Sequence, residues 1–547
     1  MLKIQIIDWF GTDSEPPLSL SESESDSDSE NDTKNKLGKY TITIFGKTDT
    51  NQSISLNING FTPYFFVKVP REWNKMKTKI FGDAIKKRLN IKYRNSLISY
   101  TLMERFIFRG FTNNTKYKFV RFVFDNKESM MKCRNVFTKS KSIKYLNNKI
   151  FRGNKDEYDK NKHKIETKWE RNPCKIKQIP LLFMKDTQFD LYESNIDPIL
   201  RFIHIKKINP SGWIELNQND LTEMTTLETT SELNYQIYWQ DVKALSDSNI
   251  GKIRIFAYDF ECDSSHGDFP QAIKNYSKLS WDIINQFRQM YNSIQSKNTH
   301  KLKYIYEDKL SNSKQFVKDC LLWAFNNNCP NEFNISHVFT KNNKKPTDNK
   351  INKVVDSIWM KVNQNHTQKK RAERNILYNN ILNTIQTQFD DNFPQIEGDK
   401  LIQIGIVIYD YGTQKLKKIL LALNTCDRIT DVQVKSYNNE KDLIMQFQKL
   451  IQYYNPDILT GYNIYSFDMP YIWDRADELG ILHKFRILGR LKDTFSKITV
   501  KRLASAALGD STWRQVSMPG RIQVDILKIV QRDYTNLSSY KLDDVSS

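Results

Sequence analysis

The sequence predicts an α/β second half preceded by a β-rich, mixed α+β first half, and three observations carry that prediction. Between residues 39 and 70, "KYTITIFGKT", "SISLNINGF" and "PYFFVKVP" alternate Ile, Thr and aromatic residues between Gly, Asn and Pro, the mark of β-hairpins. From residue 253 onward, apolar strand-like runs alternate with segments of helical period, which indicates a layered α/β sandwich. The 547-residue length exceeds one ordinary core and suits two to four domains.

In chain order, "MLKIQIIDWF" is a short apolar strand, followed by "SLSESESDSDSENDTKN" at 19–35. That stretch is acidic and lacks apolar periodicity, so it is expected to be a disordered, solvated insert; a phosphorylated regulatory segment is the sharper alternative. "YKFVRFVFDN" (117–126) predicts another strand and "KESMMKCRNVF" a helix, which completes a β-rich region over 1–250. A second region, 251–547, opens with "KIRIFAYDFEC" and continues with strands at 401–410 and 417–423.

A helix follows in "EKDLIMQFQKLIQYYNPD", where Leu443, Ile444, Phe447, Leu450, Ile451 and Tyr454 recur at helical spacing and Pro456 stops it. "DILTGYN" is a strand, and "MPYIWDRADELG" a helix with Pro470 in its first turn and Gly480 at its end. Residues 272–398 are too long for a simple connection and rich in Lys, Asn, Ser and Gln, so a helical, basic insertion is expected there. Its lysines read as a solvated face, with accessory DNA contact as the alternative.

The formal charge of +20 and a pI near 9.3 suit a polyanionic partner, although general richness in Lys, Asn, Ile and Tyr accounts for part of that charge. The six cysteines form no CxxC pair, which argues against a zinc ribbon or a disulfide framework and fits a reducing compartment. No apolar run approaches membrane-spanning length and the N-terminus has no signal pattern, so a soluble intracellular protein is expected.

The chemistry concentrates in "IRIFAYDFEC". Strand alternation puts Ile253, Ile255, Ala257, Asp259 and Glu261 on one face and Arg254, Phe256, Tyr258 and Phe260 on the other. Both faces are largely apolar, which predicts a central strand covered on both sides. The two acids then leave its carboxyl end together, with Cα atoms about 7 Å apart. Carboxylates that close repel unless protonated or bridged by cations, and Mg²⁺ or Mn²⁺ is the natural bridge. Asp468 follows the "DILTGYN" strand at the start of the next helix, where it reads equally as an N-cap.

"YDFEC…GDFPQA" and "NPDILTGYNIYSFDMPYI" resemble the first and second exonuclease motifs of family B DNA polymerases, above all delta-type enzymes and those of large DNA viruses. "FTPYFFVKVP", "LRFIHIKKINPSGWIEL", "VQVKSYNNEKDLIMQF" and "VSMPGRIQVDILKIVQRDY…LSSYKLDDVS" resemble flanking segments of the same family. The likeness spans most of the chain except the acidic tract and the 272–398 insertion. It implies a ribonuclease-H-like 3′→5′ proofreading exonuclease domain over 251–547, behind an N-terminal polymerase domain over 1–250. It also implies two divalent ions, Mg²⁺ or Mn²⁺, held by Asp259, Glu261 and Asp468. Asn463 and Phe467 would contact the 3′-terminal nucleotides of a frayed primer, and action at a site of DNA replication, the nucleus or a viral factory, is implied as well.

The family's third motif carries Tyr-x-x-x-Asp on a helix. "YKLDD" matches that spacing through Tyr540 and Asp544, but its neighbours resemble a different segment, so the match is read as coincidental. The palm signatures (a DxxSLYPS-like run, DTD, the fingers lysine motif) are not found. The expectation is therefore the N-terminal portion of a polymerase, incomplete at the C-terminal end of its exonuclease domain and partnered by a C-terminal polymerase half. Polymerisation by this chain alone is not expected. A non-catalytic single-stranded-DNA-binding subunit or remnant that needs such a partner is the main alternative, and a free-standing nuclease a third.

Overall fold

The structure, a computed structural model, describes residues 1–13, 37–108, 113–146, 149–150, 165–225, 228–264, 268–295, 311–364, 371–413, 416–505, 509–535 and 537–546. The acidic 19–35 stretch lies outside these residues. The two largest sheets of the first half carry its cores. Leu2–Asp13, Tyr40–Thr48 and Ser53–Asn59 form an antiparallel meander inside a seven-stranded sheet. Trp213–Leu216 later pairs with Leu2–Asp13, and Leu233–Tyr238 runs parallel to Ser53–Asn59. The alternating isoleucines Ile42, Ile44, Ile54 and Ile58 pack with Phe202 of the helix Pro198–Lys206.

A second, four-stranded sheet joins Tyr64–Val69, Leu97–Phe106, Lys116–Phe124 and Leu191–Tyr192. Its aromatic core (Phe65, Phe81, Phe122, Phe124, Phe137) seats helices Lys75–Arg88 and Lys127–Phe137. Asn74 and Asn126 cap those helices by accepting from the Lys77 and Ser129 backbone N–H groups.

In the second half we number the strands β1 (Arg254–Cys262), β2 (Leu401–Asp410), β3 (Leu416–Leu423), β4 (Gln433–Tyr437), β5 (Ile458–Gly461), β6 (Ile498–Ser505), β7 (Gly509–Val516) and β8 (Ile522–Asp525). The main sheet has the order β4-β3-β2-β1-β5-β8. β2 is antiparallel to both β1 and β3, whereas β5 and β8 continue parallel to β1. β6 and β7 form a separate hairpin.

Besides the short helix Leu482–Phe485, the helices described in this half are α1 (Ser277–Gln295), α2 (Ser311–Asn326), α3 (Asp348–Gln364), α4 (Arg371–Asn392), α5 (Glu440–Tyr454), α6 (Asp468–Glu478), α7 (Ile526–Asp533) and α8 (Leu542–Ser546). α5 packs on the sheet through Phe447, whose ring meets Phe256, Tyr258 and Phe260 edge-on at 5.2–5.9 Å. Asn455 takes a left-handed conformation at the end of α5, and Pro456 prevents continuation.

β1 is central, as expected, but it is not covered on both sides. Phe256, Tyr258 and Phe260 are buried, whereas Ile255 and Ala257 are half-buried and Asp259 and Glu261 are exposed. The acid-bearing face opens onto a groove of about 410 Å³ lined by Ala257, Asp259, Gly405, Val407, Leu420 and Val432. Apolar alternation fixed which residues share a face, but it carries no information on what packs there.

The insertion between β1 and β2 is helical. α1–α4 gather Ile283, Phe316, Leu321, Val355, Ile358, Ile385 and Phe389 into a core of their own. The Tyr276 hydroxyl closes the base of the insertion by donating to the Pro394 carbonyl (2.6 Å), and Arg475 of α6 ties that base to the rest of the domain by donating to the Ala272 carbonyl (3.2 Å). The two halves meet at a buried charge cluster. Asp457 accepts from Arg490 (2.6 Å) and from the Arg254 backbone N–H (2.8 Å), and lies 3.7 Å from Lys47 of the N-terminal sheet.

Candidate active site

The second-motif turn can sit against β1 because Gly461 has no side chain; a Cβ there would lie 2.4 Å from the Tyr258 carbonyl. Two residues on, Asn463 adopts a left-handed conformation, with φ of 63°. Its N–H and that of Tyr465 donate to the two oxygens of Asp525, at 2.9 and 3.1 Å. The Asn463 carbonyl then accepts from Ser466 and Phe467 (both 3.1 Å), which winds the chain into α6.

Asp525 carried no sequence signal beyond an N-cap ahead of "ILKIV", a role it fills by accepting from Leu527 N–H (3.0 Å). Its grip on a turn some sixty residues earlier follows from β8 lying parallel to β5.

Of the two readings of Asp468, site acid and N-cap, the cap does not hold: Phe467 occupies the N-cap position, without a capping side-chain bond, and Asp468 is the first helical residue. Its side chain turns to the sheet, where Oδ1 accepts from the Phe260 N–H at 3.0 Å. The hydrogen bond between second-motif helix and first-motif strand brings Asp468 beside Asp259. The buried Asp468 carboxyl (1% exposed) is pushed up to about 7. Desolvation is the main cause and the Asp259 charge the next, opposed by hydrogen bonds from the Asp468 and Phe260 N–H groups. Asp259 is raised too, through its own partial burial.

Glu261 lies on the same strand face as Asp259, at the point where the β1–β2 register slips. The donors are all carboxylate oxygens, which suits a hard divalent cation. Among the described residues, however, no group of three or more acidic, His or Cys side chains is assembled closely enough to form a ready metal site. The fold brings Asp259 and Asp468 together and leaves Glu261 adjacent. Asp544, on the exposed one-turn α8, does not join them in such a group. Tyr540 donates to the Tyr534 carbonyl (2.7 Å), and its own carbonyl accepts from the Tyr462 hydroxyl of the second motif.

Beside the acids lies an aromatic ledge. The Phe467 ring meets Phe269 at 5.3 Å and Tyr471 at 5.2 Å. Phe269 is 74% exposed, and Tyr471 is fixed by donating to the Asp399 carbonyl (2.9 Å). Phe269 belongs to the quoted "GDFPQA", but its pairing with Phe467 across nearly two hundred residues had no sequence signature.

The raised carboxyl yields a pH prediction. Because the folded-state value of Asp468 exceeds the ordinary aspartate value of 3.8, the native chain holds a proton that the unfolded chain has lost. Its contribution to stability is full below 3.8 and is lost progressively as pH rises through about 7. Asp468→Asn keeps an acceptor for Phe260 and removes the charge. In EDTA it is expected to raise the melting temperature at pH 8, with little effect at pH 4. Thermal unfolding at both pH values checks this, and an equal shift at both would contradict it.

A model of the DNA polymerase family B exonuclease domain matches residues 189–278 and 325–545. The chain is 32% identical over 525 residues to a DNA polymerase of Pyramimonas orientalis virus, covering 93% of this chain and 40% of that protein. It is 26% identical over 565 residues to a DNA polymerase of Phaeocystis pouchetii virus, covering 93% and 51%. It is also 22% identical over 516 residues to the DNA polymerase delta catalytic subunit of Dictyostelium discoideum, covering 92% and 32%. The chain thus spans about half or less of the length of these relatives. It belongs to DNA polymerase family B.

Proposed function

We propose that this chain is the N-terminal portion of a family B DNA-directed DNA polymerase, and that its second half is a ribonuclease-H-like 3′→5′ proofreading exonuclease domain. The observation that carries this reading is the buried Asp468 carboxyl docked on the first-motif strand beside Asp259, next to the half-buried Phe467 ring and the exposed Phe269 ring. The mixed sheet supports it, with the acids on its central strand.

Asp259, Glu261 and Asp468 would hold two divalent ions, Mg²⁺ or Mn²⁺, which when bound supply an attacking hydroxide and stabilise the leaving 3′ oxygen. The protein's own residues position the strand. Phe467, backed by Phe269 and Tyr471, offers a face on which the terminal base stacks. Asn463, whose backbone N–H is held by Asp525, would contact the 3′ nucleotides. Buried Asp468 stays next to β1 whether or not it carries a proton, because the Phe260 N–H bond fixes its carboxyl.

The partner is DNA, as a single-stranded 3′ end or a primer–template, and the place of action is where DNA is replicated. Among the described residues, no helix is long and apolar enough to cross a membrane. We further propose that the open acid-bearing face of the sheet works together with a C-terminal polymerase portion, on the same polypeptide or a separate one. The half-buried Ala257 and Val407 and the groove along them support this.

The test is a nuclease assay on 3′ single-stranded ends with Mg²⁺. The 547-residue chain is expected to degrade them poorly or not at all, and addition of a C-terminal polymerase half to restore degradation. Strong activity of the chain by itself, lost on Asp544→Ala, would overturn the dismissal of the Tyr540/Asp544 match.

A further inference from the structure

The insertion walls a cavity of about 550 Å³ that shares Phe269 with the aromatic ledge of the candidate site. The cavity lies between the loop after β1 and helices α1 and α4, and its size is that of a small-molecule site. We propose that it is a nucleotide subsite, which receives a base of the single strand whose 3′ end lies at Asp259 and Asp468; this rests on the exonuclease reading above.

Two large rings stand exposed around one cavity: Phe269 at 74% and Trp281 of α1 at 47%. Exposed apolar rings at a concave site are a stacking platform for bases, and stacking tolerates any sequence. Asn383 and Gln386, one helical turn apart on α4, supply amide donors and acceptors for a base edge.

The charges set the orientation. Lys278 lies 5.6 Å from the Trp281 ring, 3.4 Å from Asp268 and 3.9 Å from Asp282, a half-exposed cation shared loosely by two carboxylates. It is placed to meet a backbone phosphate at the rim. Asp268 repels phosphate from the interior, so the base enters and the phosphate stays outside. Lys274 is committed to Asp399 at 2.5 Å and shapes the wall. Trp281 falls in the 279–324 interval that the family model leaves unmatched, whereas Phe269, Asn383 and Gln386 fall within the matched residues.

The test is fluorescence anisotropy of the full chain in EDTA with end-labelled oligothymidylates of about 4 and about 12 nucleotides. Trp281→Ala is expected to weaken the longer oligonucleotide about tenfold and leave the shorter unchanged. Trp281→Phe should restore most of the affinity, and Asn383→Ala with Gln386→Ala should weaken the longer one as well. Phe467→Ala should weaken both lengths. If the Trp281 and amide variants bind like the parent while Phe467→Ala weakens binding, the subsite is refuted and the exonuclease site stands. If Phe467→Ala is also without effect, the exonuclease reading itself fails. Unlabelled dTMP gives a second arm: tryptophan quenching by dTMP that is lost in Trp281→Phe assigns the cavity to free nucleotide as well, and such quenching by oligonucleotide alone assigns it to the strand.

Discussion

Replacement of Asp259 and Glu261 by alanine is expected to abolish 3′→5′ degradation by this chain combined with the proposed C-terminal polymerase portion. Two carboxylates on one strand face, with Asp468 held against them, form the whole anionic surface proposed to bind the ions. Metal-assisted charge stabilisation is worth several kcal/mol, so the loss should reach about a thousandfold or more. Both side chains are exposed, so folding should survive. Removal of the Asp259 charge also relieves the repulsion that raises Asp468, and the melting temperature should hold or rise slightly. A 3′-labelled single-strand assay and a thermal scan of the same preparation separate lost chemistry from lost structure. Retention of more than a tenth of the activity would remove these residues from the chemistry.

The largest effect on stability is expected at Asp457→Ala. Asp457 and Arg490 are both fully buried and bonded at 2.6 Å. Arg490 also donates to the Pro456 carbonyl (3.3 Å) and the Asn455 side chain (3.1 Å), while Asp457 takes the Arg254 N–H at the start of β1. Lys47 reaches the same carboxylate from the N-terminal sheet. Loss of one partner leaves a buried guanidinium uncompensated, a cost of about 3–5 kcal/mol. Joint replacement by Asp457→Leu and Arg490→Met should cost less than either single loss, because the fully buried guanidinium leaves together with its carboxylate. Urea unfolding of the three variants checks this; additive single and double losses would show that the pair is not coupled.

Much of the second half was legible because its signals are local. The apolar runs at β1, β2 and β3, the helical period of α5 with Pro456 beyond it, and Pro470 and Gly480 in and after α6 all lie within the elements they specify. In the site, the quoted motifs contained Asp259, Glu261, Asn463, Phe467 and Asp468, and Asp468 was expected near the strand acids.

What escaped the sequence depends on long-range contact. The Phe260 N–H that draws Asp468 away from a capping role, the grip of Asp525 on Asn463, and the Phe269–Phe467 pair all join residues far apart in the chain. The open face of β1 escaped for a related reason. Ile255 and Ala257 are apolar whether or not anything packs on them, so their composition cannot report what covers the sheet.

The central claim, that Asp259 and Asp468 together form a cation site for 3′-end hydrolysis, is met most directly by anomalous diffraction from crystals of the chain with the proposed C-terminal polymerase portion, Mn²⁺ and a 3′ single-stranded oligonucleotide. A manganese peak in contact with the carboxylates of Asp259 and Asp468, beside the terminal phosphate, is the predicted result. Manganese bound elsewhere, or no peak between those two carboxylates at saturating Mn²⁺ with the 3′ end seated on Phe467, would contradict it.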